Sequence, residues 1–181
     1  MGCAFPFMPF LMRSLIARHL HRHEPADHWY LHLKSSIGVL VGVGLVGALA
    51  ERSGLPLLLA PLAPTSLLLF AQPHVPPSQP IAVFGGYFIA TVLATLGAAL
   101  FAGVWWAAVL ATAVAILLML RLRVTHAPAA SLPLLVYGRP IAPGTLFEVL
   151  FVSCVLLVGI SLIWRRLPAR WFGGRSGSGP L

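Results

Sequence analysis

From Ser53 to Leu120 the chain runs for 68 residues without an aspartate, glutamate, lysine or arginine. A water-soluble domain does not carry such a run, because about a quarter of the residues in ordinary soluble domains are charged. One helical crossing of a bilayer takes about 20 apolar residues, so the run holds about three crossings with tight connections. The rest of the chain agrees: 59% of its 181 residues are hydrophobic and 9% charged. It reads as an all-α protein, a polytopic transmembrane helical bundle in contact with a lipid bilayer.

The first apolar stretch begins near Ser35 and carries no cleavage site of a secretory signal, so a retained helix is expected over residues 35–50. Residues 1–34 read as a His- and Arg-rich cytoplasmic tail that ends with Trp29 and Tyr30, where an aromatic belt would sit. Further unbroken spans are expected over 82–103, 104–120 and 146–164. Arg165, Arg166 and Arg170 then stop the last one, and 165–181 reads as a flexible basic tail after a transmembrane domain of 35–164.

Two apolar segments are interrupted by proline. One is LPLLLAPLAPTSLLLFA, residues 55–71, with Pro56, Pro61 and Pro64; the other, after Arg121 and Arg123, is VTHAPAASLPLLVYG, residues 124–138, with Pro128 and Pro133. Each proline removes a backbone donor and frees a carbonyl that lipid cannot satisfy, so both segments belong inside a bundle or against a wet cavity. Ala63, Pro64, Thr65, Ser66 and Leu67 align with Ala127, Pro128, Ala129, Ala130, Ser131 and Leu132 with one residue of slip. Each broken segment stands between two unbroken ones, giving two repeats of span, Pro-broken span, span. With three crossings apiece the repeats are oppositely oriented, an arrangement in which paired broken segments mark a transporter's binding site.

Charge placement favours six crossings. Ten basic residues (Arg13, Arg18, Arg22, Lys34, Arg121, Arg123, Arg165, Arg166, Arg170, Arg175) then share one side with both termini, and two, Arg52 and Arg139, take the other. Four crossings with two re-entrant segments would move Arg121 and Arg123 across. The positive-inside rule prefers the former, with both termini cytoplasmic, as in a bacterial inner membrane.

His126 is the leading candidate for a site, since an imidazole can donate, accept or change charge near neutral pH. Pro128 biases Ala127 to extended geometry, and a helix is expected to begin near Pro128 with free N–H groups aimed back at Thr125 and His126. Such groups bind anions. Ser131 on the same segment, and Thr65 and Ser66 in the first repeat, would line the other side. Gln79 and His74 lie on the proline-rich loop 72–80, where they could flank an entrance.

PHVPPSQPIAVFGG, residues 73–86, and RVTHAPAASLPLLVYG, residues 123–138, resemble the two signature regions of the HPP family of integral membrane proteins. Those regions read as P-x-x-P-x-x-Q-P followed by G-G-H, and as I-H-P-P-x-G-A-T-A. The resemblance covers roughly residues 35–164 and implies a compact multi-helix membrane protein. Through plant and cyanobacterial members linked to nitrite transport, it also implies a carrier of a small inorganic anion. The chain departs from the pattern at Ala127 (proline in the motif), at Ala130 (near the motif's glycines) and at Tyr87, where a histidine commonly follows the paired glycines.

Other function classes have thinner support. The formal charge of +8 lies beside apolar segments and forms no basic stripe with interleaved aromatics, which argues against nucleic acid. His19, His21, His23, His28 and His32 raise a metal-handling alternative, without a thiolate or second ordered pair behind it. No nucleophile, base and orienter can be assembled, so an enzyme is not expected, nor a cofactor or resident metal. Gly38 and Gly42, Ala90, Ala94 and Ala98, and Ala107, Ala111 and Ala115 form small-residue stripes suited to close packing within the bundle or against a second copy in a homodimer. The lost polar positions leave one further alternative, a non-transporting membrane scaffold or accessory subunit.

Overall fold

The computed structural model describes residues 28–55, 58–139 and 141–172. The tail histidines His19, His21 and His23, the C-terminal tail from residue 173, and Pro56 lie outside the described residues. Within them the chain forms α1 (Trp29–Arg52), α2 (Leu59–Ala71), α3 (Pro80–Leu100), α4 (Trp105–Leu122), α5 (Leu132–Val136) and α6 (Pro143–Arg166), with 3-10 turns at Pro76–Ser78, Ala127–Ser131 and Ala169–Phe172. α1 starts six residues ahead of Ser35 and takes in Trp29 and Tyr30.

The helix ends follow from local chemistry. α1 stops at Gly54, whose left-handed φ of 71° lets Leu55 N–H return to Ala50 O and Gly54 N–H to Glu51 O, the paired closure that glycine favours. α4 closes in the same way on Arg123 (φ 57°), with Val124 N–H bonded to Met119 O. α3 and α6 both open on a proline at the first helical position, where no N–H is missed.

α1, α3, α4 and α6 are long and apolar enough to cross a membrane on length and composition. The broken segments are not. α2 has 13 residues, about 20 Å against about 30 Å of hydrocarbon. Nor does a helix begin at Pro128: Ala127–Ser131 is a 3-10 turn, and the α-helix after it has five residues. Pro133, at the second position of α5, and Pro128, at the second of the 3-10 turn, are tolerated because first-turn N–H groups have no intrahelical partner.

Short as they are, both segments run from one end of the bundle to the other. Leu55 N–H bonds Ala50 O at the end of α1, and Phe70 O accepts from Ser35 Oγ near its start. The second segment leaves the end of α4 and arrives at Tyr137, whose carbonyl accepts from Gly103 N–H just ahead of α4. Three extended residues, five 3-10 residues and five α-helical ones span about 27 Å, the length of the 18-residue α4 beside them. Mixed backbone makes the shorter sequence reach.

The chain therefore reverses at every connection, and the start of α1 and the end of α6 share one end of the bundle. Lys34 Nζ donates to Leu167 O (2.7 Å) and Trp164 Nε1 to Lys34 O (3.0 Å). Arg165 reaches from α6 to Leu69 O (3.0 Å), and its Nε is the one buried side-chain polar atom without a partner among the described residues.

The packing carries the inverted repeat. α1 packs on α2 and α6, while α4 packs on the 127–136 segment and α3; α2 also packs on α6, and 127–136 on α3. α3 and α6 cross each other, as do α2 and the 127–131 turn. Exchanging the two halves maps this set of pairs onto itself, with every element's direction reversed. Across the α3–α6 crossing, Phe84 lies against Phe151 (5.9 Å between centroids) and Phe88 against Phe147 (6.0 Å). The same exchange interconverts these pairs, because Pro80, Phe84 and Phe88 on α3 answer to Pro143, Phe147 and Phe151 on α6.

The two ends pack differently. Away from Lys34, a cavity of about 340 Å³ lies between the end of α3, residues 136–139 and the start of α6, lined by Ala94, Ala98, Tyr137, Arg139 and Leu146. The positions on α6 that answer to Ala94 and Ala98 are Leu157 and Ser161, both fully buried. The larger Leu157 fills at one end what alanine leaves open at the other. Most of the small-residue positions lie inside the bundle: Gly38 and Gly42 face Phe70, Ala90, Ala94, Ala107, Ala111 and Ala115 are buried, and Ala98 is half-buried at the cavity. Leu40, Phe88, Leu110, Phe151 and Ile163 stay exposed on the outside, as a lipid-facing surface requires.

Candidate functional site

The two broken segments meet where the 127–131 turn packs on α2. Arg123's left-handed turn sends Val124 to His126 back over the start of α3 as an extended strap. Gly85 and Gly86 let it lie close: a Cβ at Gly86 would stand 2.6 Å from His126 Cβ. Lack of a side chain is what this position requires.

His126 is fully buried. Its Nδ1 lies 2.9 Å from Pro77 O and its Nε2 2.9 Å from Thr65 Oγ1. Thr65 Oγ1 lies 2.9 Å from Tyr87 OH and 2.9 Å from Pro61 O, and Tyr87 OH donates to the same carbonyl at 2.9 Å. The Tyr87 ring tilts against the imidazole at 5.5 Å between centroids. Pro64, inside α2, has no N–H to give Ala60 O, so the turn that carries Pro61 and Thr65 is loosened beside the site.

A carbonyl only accepts, so the Pro77 contact places a proton on Nδ1. With the imidazole neutral, Thr65 donates to Nε2 and Tyr87 donates to Pro61 O or Thr65 Oγ1. Every polar atom of the trio then has a partner, as buried polar groups require. Tyr87→Phe would leave Pro61 O and Thr65 Oγ1 without that donor. It is expected to lower stability by about 1 kcal/mol, read from thermal unfolding in detergent, whereas a tyrosine that merely filled space would be replaced at no loss.

Of the residues the sequence singled out, His126 and Thr65 are brought together. Pro128 is buried beside them, shaping the 3-10 turn. Ser66 and Ser131 spend their hydroxyls locally, on Ala63 O (2.6 Å) and Pro128 O (2.9 Å). Thr125, Gln79 and His74 are exposed; Gln79 acts through its carbonyl, which accepts from Ala82 and Val83 N–H as α3 begins. His28 stacks on Tyr30 at 5.2 Å, and no group of three His, Cys, Asp or Glu that could hold a metal occurs among the described residues.

Sequence reasoning passed over Tyr87, the third member of the network, and Ser78, which is buried and donates to Leu68 O (2.9 Å) and Gln72 O (2.7 Å). Ser78 ties the proline-rich turn to the end of α2 and so holds Pro77 O over the imidazole. The signal for Tyr87 was its place directly after the paired glycines that seat the histidine strap.

A family model described as "HPP, transmembrane region" matches residues 24–172. No curated protein and no solved structure matches the chain.

Proposed function

The chain belongs to the HPP transmembrane family, and from that premise we propose that it is a carrier of a small inorganic anion, with nitrite the first to test. The observation that carries the reading is the Thr65–His126 bond, which joins two proline-broken segments from oppositely oriented halves. Inverted repeats that meet at broken helices are the architecture of alternating-access carriers. The cavity beside Arg139 offers room for a small solute between the two halves, away from the closed network at His126. Lys34, Arg121, Arg123, Arg165 and Arg166 at one end, against Arg52 and Arg139 with Glu51 and Glu148 toward the other, support a cytoplasmic placement of the Lys34 end in a bacterial inner membrane.

In proteoliposomes, wild-type protein is expected to take up nitrite above empty liposomes. His126→Ala, which leaves Thr65 and Pro77 O without their partner, is expected to cut the rate by about tenfold or more, the scale of a lost buried hydrogen bond. Unchanged uptake in the variant would remove His126 from the pathway. A second reading, a non-transporting scaffold, is favoured by the completeness of the hydrogen bonding around His126. Its mark would be a folded wild-type protein that moves neither nitrite nor related anions.

A further inference from the structure

We infer that His126 Nε2 is a buried proton-binding site and that the proton it takes up is the ion coupled to anion movement. This rests on the carrier reading above for its coupling half only. The argument comes from counting hydrogens. When Nε2 is unprotonated, the Thr65 hydroxyl points its hydrogen at it. When Nε2 carries a proton, that N–H donates to Thr65 Oγ1 across the same 2.9 Å, and the Thr65 hydrogen turns to Pro61 O, also 2.9 Å away. Tyr87 OH keeps Pro61 O or Thr65 Oγ1 as acceptor in both states, and Nδ1–H keeps Pro77 O.

One hydroxyl rotation therefore exchanges two complete networks, with no heavy atom displaced and no buried donor stranded. A histidine held only for structure needs one of these states; this site is built for both. The imidazolium would be met by two neutral oxygens, Pro77 O and Thr65 Oγ1, with Tyr87 OH and Pro61 O behind Thr65. The ionisable groups on the elements packed here are few. Tyr87 on α3 belongs to the network, and Cys154 on α6 is buried close behind it. Arg121 and Arg123 at the end of α4 are exposed, and Arg165 on α6 is engaged with Leu69 O. The described carboxylates, Glu51 ending α1 and Glu148 on α6, are both exposed. A proton bound at Nε2 adds a positive charge at the junction of the two halves, where an anion passing through would be neutralised by it.

The test has two arms on the full chain in lipid. In the first, protein labelled with ¹⁵N-histidine in nanodiscs is followed by NMR from roughly pH 5 to pH 9, the range over which imidazoles titrate. His126 is assigned by the signal lost in His126→Gln. The expected result is a neutral ring protonated on Nδ1 at the alkaline end and on both nitrogens at the acidic end. Thr65→Val, which removes the rotating hydroxyl, is expected to lose the second ring proton over the whole range, and Thr65→Ser to restore it. A wild-type ring that stays in one state throughout overturns the proton site, whatever the flux.

In the second arm, nitrite uptake into proteoliposomes is measured with and without an inside-alkaline pH gradient. The gradient is expected to raise the protein-dependent rate several-fold in wild type and Thr65→Ser and to lose its effect in Thr65→Val. Uptake that ignores the gradient overturns the coupling. A ring that titrates in a protein that moves no anion keeps the proton site and ends the carrier reading.

Discussion

Gly86→Ala is expected to be among the most damaging single-atom changes this bundle can receive. The new Cβ would lie 2.6 Å from His126 Cβ, with Val124 O and His126 Cα behind it at 3.5 and 3.6 Å. None of these atoms can swing aside, because each is backbone or directly attached to it. The strap from Val124 to His126 must lift off α3, and the imidazole then loses Thr65 on one side and Pro77 O on the other. Overpacking costs about 1–3 kcal/mol, and each buried polar group left alone adds about 1–3 more, so a loss of about 3 kcal/mol or greater is expected. In thermal unfolding this is a fall on the order of 10 °C for a chain of this length. Gly85→Ala supplies the comparison: its Cβ would meet Val124 side-chain atoms at 3.0–3.2 Å, a contact a small shift relieves, and it should cost less than half as much. Equal losses in the two variants would mean that His126 is not seated on Gly86.

Much of this arrangement was legible in the chain because lipid leaves few solutions. A 68-residue uncharged run fixes helices, and two proline-cut stretches must be buried, which is enough to pair Thr65 with His126 across the halves. What was not legible is how a cut stretch spends its residues. Pro128 looks like the start of an α-helix, yet Ala127–Ser131 takes the 3-10 form, with about 2.0 Å per residue instead of 1.5 Å, because thirteen residues have to match the length of α4. That constraint is tertiary and leaves no local trace. Tyr87 is the opposite case. Set against the family pattern it registers as a lost histidine, yet its hydroxyl brings a polar group to the site, reaching Pro61 O and Thr65 Oγ1. The recurrence of Pro80, Phe84 and Phe88 as Pro143, Phe147 and Phe151 is a clearer repeat signal than the Ala-Pro-Leu match. It was hidden because proline and phenylalanine four apart are unremarkable in one span and informative only as a pair of spans.

Gly38→Ala should destabilise the Lys34 end to a similar degree. A Cβ there would stand 2.5 Å from Phe70 Cδ1 and 2.7 Å from Trp164 Nε1. Both rings are confined, since Phe70 and Trp164 pack edge to face at 6.5 Å and Trp164 Nε1 is tied to Lys34 O. α1 must therefore move away from α2 and α6 together, and Ser35 Oγ is drawn off Phe70 O, leaving a carbonyl at the end of the broken helix unpaired. About 2–3 kcal/mol is expected from overpacking and the lost bonds. The same helix provides a graded series: at Gly42 the nearest atoms are at 3.0–3.1 Å, and at Gly44 nothing lies within 4 Å. Thermal unfolding in detergent should rank the alanine variants Gly38 worst, then Gly42, with Gly44 unchanged or slightly stabilised by alanine's helix preference. If Gly44→Ala were as damaging as Gly38→Ala, the glycines would matter for chain flexibility and not for contact. The close approach of α1 to α2 and α6, which places the first half of the repeat against the second, would then lose its physical basis.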